Sequence, residues 1–163
     1  MEIEKHWPMI KAVLEKAHST NRHCAIATVS EDGTPHVTPI GSLFLRDDCT
    51  GFYIESYCQK MADNLKCNNR VCIMGINSGI GYWLKSLFSG RFPTPPGIRL
   101  YGTVSELRLG TKDEIEYFQN RVRAFRKLKG HDLLWKNMRH VREIQFRSFE
   151  PVHAAKMTQH LWL

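Results

Sequence analysis

The sequence predicts an α+β fold, a small closed or nearly closed antiparallel barrel with helices outside it. Three observations predict this. Six short segments read as strands, the first apolar on both faces and later ones with period-2 alternation, three before a central helix signal and three after it. They follow one another as hairpins and short crossovers, the first joined to the second through Asp32-Gly33, a strong hairpin turn. Helical periodicity with capping signals lies between and around these groups, as an α+β plan requires.

A chain of 163 residues suffices for one domain with a real core, and no repeat, linker or composition break divides it. No run approaches the roughly 18 apolar residues of a membrane span, so no membrane partner is expected. The charged start MEIEKHWPMIK lacks a signal-peptide core. Five cysteines without C-x-x-C or zinc spacing point to reduced thiols, and with that start to a cytoplasmic protein. The net charge of +7 suits an anionic ligand, nucleic acid or a basic surface.

The elements follow in order. Residues of about 8–18 read as a first helix, with Trp7, Ile10, Leu14 and Ala17 as its apolar stripe and Pro8 in its first turn. Residues 23–30 form the first strand and 35–46 the second. Pro39 removes a donor inside the second, which argues for an edge, a bulge or a bend. Residues 51–55 are a third strand and 70–76 a fourth. The stretch 77–97 has four glycines, three prolines and no steady period, yet carries Tyr82, Trp83, Leu84, Leu87, Phe88 and Phe92. It needs a surface to pack on, around a short helix at 82–88: a cover over a ligand, the chain's own helices or a partner subunit. Residues 98–108 resume strand alternation. Thr111 and Glu114 make a capping box for a helix with Ile115, Phe118, Val122 and Phe125 inward and Arg121, Arg123, Arg126, Lys127 and Lys129 outward. Leu133, Leu134, Trp135 and Met138 suggest one more helix, and 141–149 is the last strand.

The central stretch, GFYIESYCQKMADN at 51–64, joins a strand to a helix. Ser56 and Gln59 have capping-box spacing, and Cys58, Met61 and Leu65 form the apolar face behind them. The first turn then offers free N–H groups, the positive end of the helix dipole and the Lys60 ammonium, a seat for a phosphate. A solvated first-turn lysine is the plainer alternative.

From 22 to 76 the residues resemble the FMN-binding split-barrel family related to pyridoxamine 5′-phosphate oxidase. The pieces are Ala27-Thr28-Val29, then Asp32-Gly33-Thr34-Pro35-His36-Val37-Thr38-Pro39, then Lys60-Met61-Ala62-Asp63-Asn64-Leu65, and Asn68-Asn69-Arg70-Val71. The likeness resumes at Arg99-Leu100-Tyr101-Gly102-Thr103 and fades afterwards. It implies a six-stranded split β-barrel with peripheral helices, and a homodimer with FMN at the subunit interface. It also implies flavin contacts from Val37, Thr38, Pro39 and Ile40, and a phosphate held by Ser56, Gln59 and Lys60. Asn64 reads as helix–strand packing. The tail PVHAAKMTQHLWL lacks the family's Arg-Leu substrate motif, and 77–97 is longer than the usual link, so the substrate stays open.

Other chemistries are less well supported. The histidines have no H-x-x-x-H or H-E-x-x-H spacing, although His153 or His160 could serve as an axial ligand in a haem-binding relative. No nucleophile elbow or phosphate-binding glycine loop occurs, and the arginine-rich helix lacks any nucleic-acid motif, so no nucleic-acid partner is expected. The reading is an FMN-dependent oxidoreductase acting with a small-molecule electron donor or acceptor. The rival is a protein of the same fold that carries flavin or haem without turnover.

Overall fold

The computed structural model describes residues 2–161. The chain runs α1 (Ile3–Asn21), β1 (Cys24–Val29), β2 (Pro35–Ile40), β3 (Leu43–Leu45), β4 (Thr50–Ile54), α2 (Gln59–Cys67) and β5 (Arg70–Ile76). It continues as α3 (Ile80–Ser89), β6 (Gly97–Val104), β7 (Arg108–Leu109), α4 (Lys112–Val122), α5 (Lys129–Trp135) and β8 (His140–Pro151), with short 3₁₀ turns after α4 and β8. The tail's last two residues, Trp162 and Leu163, lie outside the described ones.

One curled antiparallel sheet has the order β2-β1-β5-β6-β8-β4-β3, with β7 paired to β8. Its two end strands, β2 and β3, are joined in sequence by only Gly41-Ser42, so the sheet curls back on itself as a split barrel. The six expected strands are all present. Two of them are interrupted, the second at Gly41-Ser42 and the fifth after Val104. At the first break Ser42 turns inward, donating to the Ile54 carbonyl at 2.9 Å and accepting from the Ile54 amide at 3.1 Å. Its hydroxyl thus replaces a rung of the ladder.

Helix α1 lies across β5, β6 and β1, burying Ile3, Trp7, Ile10, Val13, Leu14 and Ala17. It begins five residues earlier than the sequence suggests, so Pro8 falls in its interior rather than its first turn. Burial of Trp7 before it and Ile10 after it, and a 2.7 Å bond from Trp7 Nε1 to the Arg46 carbonyl, hold the helix through the proline. Gly75 permits the approach: a Cβ there would lie 2.6 Å from Leu14 Cδ2.

The 77–97 stretch contains a ten-residue helix, longer than expected. Tyr82 and Trp83 pack on the buried Phe92 ring, with centroids 5.4 and 5.1 Å apart. Its start is tied to α1 by bonds among Asn21, Thr20 and Ser78, and its end to the C-terminal turns by Phe92 N–H to the Met157 carbonyl. The chain's own helix is therefore one surface it packs on. Ile80, Leu84, Leu87 and Phe88 remain exposed on the opposite face.

Candidate functional site

Strand β2 pairs with β1 alone along Cys24↔Ile40 to Val29↔Pro35, so it is an end strand and Pro39 costs no ladder bond on its free side. Burial alternates along it. Val37 and Pro39 are exposed, Thr38 is half-buried and Ile40 is buried. The Thr38 hydroxyl is the one buried side-chain polar atom among the described residues with no hydrogen-bond partner. Such an atom costs about 1–3 kcal/mol unless something completes it.

Helix α2 packs on β1 and β2. Met61 and Leu65 point into the core, and Cys58 packs beside them with its thiol shifted upward by burial. Asn64 donates to Thr28 Oγ1 at 3.0 Å and accepts from Ser30 Oγ at 3.1 Å, stitching helix to strand as expected. The Ser56–Gln59 capping box does not form. Tyr57 takes φ +62°, so the chain turns once more, the helix starts at Gln59, and the N-cap is Cys58 with no side-chain bond. The Cys58 thiol donates to the Ser56 carbonyl instead.

The missing cap favours an anion seat, because the first-turn amides of α2 receive no side-chain acceptor. Gln59 and Lys60 are exposed there, and Lys60 makes no ion pair or hydrogen bond among the described residues. Across from it lies Asp32, whose carboxyl is held below its ordinary range by the Thr34 backbone and hydroxyl, and further by Lys60.

A cavity of about 370 Å³ opens beside the end of β2. Of the expected residues, Pro39, Ile40 and Ser56 line it, whereas Val37, Thr38, Gln59 and Lys60 do not. Its far wall is Phe118 and Val122 of α4, Phe125 in the following turn, and Trp135 and Met138 around the end of α5. His18, Arg22 and Arg121 are its basic side chains, and Gly41, Ser42, Ile54 and Cys58 complete the lining.

Arg121 departs from the outward basic face expected of α4. Its Nη1 donates to the Leu43 carbonyl at 2.7 Å and the Gly41 carbonyl at 3.1 Å, and its guanidinium lies 3.6 Å from the centroid of Phe44. The break between β2 and β3 is the cause: it leaves these carbonyls in need of a donor, and Arg121 is one turn from Phe118 on the same rim. Phe125 is exposed rather than inward, because α4 ends at Val122 and a 3₁₀ turn rotates the next residues away. His18, Arg22 and Trp135 were not anticipated as lining residues. The apolar stripes of α1 and α4 were visible in the sequence, but which strand end they would meet was not.

A family model described as pyridoxamine 5′-phosphate oxidase matches residues 9–152. No curated protein matches the chain significantly. Among solved structures, HupZ of Group A Streptococcus superposes with a TM-score of 0.59 at 18% identity, covering 90% of this chain and 94% of that one. An FMN-binding protein from Syntrophomonas wolfei subsp. wolfei gives 0.58 at 18% identity, with 94% and 97% covered. HutZ, the haem storage protein from Vibrio cholerae, gives 0.56 at 16% identity, with 87% and 94% covered. At such identities the likeness is one of fold.

Proposed function

Since the chain belongs to the pyridoxamine 5′-phosphate oxidase family, we propose that it binds FMN along β2 and serves as a flavin-dependent oxidoreductase. The observation that carries this reading is the Thr38 hydroxyl, buried without a partner on a strand against which an uncapped, lysine-bearing helix start is packed. One end of that pair suits a flat, polar-edged ring system and the other suits a phosphate.

In this reading Lys60, Gln59 and the first-turn amides of α2 hold the phosphate, with the helix dipole adding to the ammonium charge. Ser56 closes the loop beside them. Val37, Thr38, Pro39 and Ile40 lie along the ring system, and the Thr38 hydroxyl gives one of its polar edges a hydrogen bond. Bound FMN supplies hydride acceptance and donation at its ring. The chain supplies placement and water exclusion, the latter from Pro39, Ile40 and the apolar wall of the neighbouring cavity. No acid or base side chain is required of it.

A homodimer belongs to the same proposal. Strand β2 is an uncovered sheet end, and Val37 on it is 61% exposed, so a second copy would shield both the edge and a ring lying on it.

The visible spectrum of the purified protein and sedimentation at micromolar concentration test the proposal together. Flavin bands on a species of twice the chain mass are expected, and Lys60→Ala should weaken FMN binding by about tenfold. A Soret band instead of flavin bands, or an unchanged FMN affinity in Lys60→Ala, would overturn the assignment.

A further inference from the structure

The cavity beside β2 is chemically one-sided. Its wall is aromatic and aliphatic, from Phe118, Phe125 and Trp135 on one side to Pro39 and Ile40 on the other. No carboxylate lines it, and its charged side chains are two arginines. The Ser42 hydroxyl is used in both directions by Ile54, and the Cys58 thiol is used by the Ser56 carbonyl. What is left over is mostly donors. The Arg22 side chain has no hydrogen bond or ion pair among the described residues, and neither Arg121 Nε and Nη2 nor the Trp135 indole N–H has an acceptor.

The basic part of the lining is held in place. Arg22 is the left-handed residue that closes α1, at φ +66°, with its amide bonded to the His18 carbonyl at 2.7 Å. Arg121 is fixed by two carbonyls and the Phe44 ring. Between them sits His18, with Nε2 2.8 Å from the Gly41 carbonyl and an imidazole pushed below its ordinary value by burial and then by Arg121. The histidine therefore adds no positive charge at neutral pH. The two guanidiniums do, next to an apolar chamber.

We infer that this cavity takes a flat aromatic molecule bearing one carboxylate, its ring between Trp135 and the Pro39–Ile40 end of β2 and its carboxylate at Arg22 and Arg121. Aromatic walls select a planar body, and unpaired guanidinium donors select an anion. That this ligand is the substrate rests on the flavin reading above, since Pro39 and Ile40 both line the cavity and belong to the stretch assigned to the ring system. That the cavity binds an aromatic carboxylate does not.

The test uses 2-naphthoate and its uncharged counterpart 2-naphthamide, titrated calorimetrically into the full-length protein with and without FMN. The wild type should bind the acid about tenfold more tightly than the amide. Arg22→Gln, which keeps a long side chain at the surface, should cut that preference several-fold and leave the amide's affinity unchanged. Equal binding of acid and amide by the wild type, or no binding of either, overturns the inference. So does a preference undiminished in Arg22→Gln, or competition between naphthoate and FMN, which would make the cavity the cofactor's own seat. A protein that takes naphthoate selectively but no FMN sustains the aromatic-carboxylate site and sinks the flavin reading instead.

Discussion

Arg142 Nε donates to Glu55 Oε2 at 2.7 Å, and with side-chain exposures of 7% and 8% both partners are out of water. The pair joins β8 to the residue that follows β4, one position before Ser56. Tyr53 OH adds a bond to Glu55, and Arg142 also donates to the Ser105 carbonyl. Removing one partner strands a buried charge. Arg142→Ala should therefore lose about 3–5 kcal/mol in urea unfolding. The double variant Glu55→Leu/Arg142→Met should recover part of that, though not all, because Tyr53 and Ser105 lose acceptor and donor. A single variant with unchanged stability would show that the pair is solvated in solution.

Glu114 governs the acid side of stability. Two bonds from Arg108 at 2.8 Å are the main cause that its carboxyl is drawn from 4.5 to about 2, aided by the Thr111 amide and Arg46. The folded value is depressed, so the contribution is complete above the ordinary carboxylate range and is lost as pH falls from about 4.5 towards 2. It amounts to about 3 kcal/mol at neutral pH as an order of magnitude. Glu114→Gln can keep the capping box while losing the charge. Its urea midpoint should be lower at pH 7 and much flatter between pH 5 and pH 2 than that of the wild type. Parallel curves for the two proteins would rule this out.

Thr38→Val separates the cost of an orphan hydroxyl from its use. Without ligand the variant should be as stable as the wild type or up to about 1 kcal/mol more so, because a buried unpaired group is gone. With FMN the order should reverse, the variant binding several-fold more weakly and gaining less in thermal stability from the ligand. Thermal melts with and without FMN read both effects. A variant destabilised in both states would mean that the hydroxyl has a partner within the protein.

Much of this was legible in the sequence. Strand β5 spans the residues its alternation picks out, and Thr111 and Glu114 form both bonds of their box, the amide of each meeting the side chain of the other. Local signals of that kind need no knowledge of the rest of the fold. Ser56 and Gln59 carried the same spacing and failed, because Tyr57 adopts a left-handed turn that the sequence marks with neither glycine nor asparagine. Arg121 was misread for the opposite reason. Its place is set by carbonyls some 80 residues away in the chain, at a strand break no local pattern discloses.

The two phenylalanines of the 77–97 stretch should behave differently. Phe92 is 1% exposed beneath Tyr82 and Trp83, while Phe88, four residues earlier, is 92% exposed. Phe92→Ala should cost about 3–5 kcal/mol, whereas Phe88→Ala should stay within about 0.5 kcal/mol in the monomer. Chemical denaturation at low protein concentration measures both. A large loss for Phe88→Ala that grows with protein concentration would place that face in a contact between copies.

Strand β8 has a bearing on how the chain is made. Its twelve residues pair with β4, β6 and β7, so it fills the gap between the two halves of the sheet. During synthesis β4 emerges some ninety residues before the β8 segment that pairs with its second edge, and until then its one sheet partner is the three-residue β3. The N-terminal half, with β1, β2, α2 and β5, can begin to associate early. The barrel cannot close until the ribosome has passed Pro151. Assembly is therefore late, dominated by distant contacts and slow for a protein of this length, and the open edge of β4 is exposed to wrong neighbours until β8 arrives.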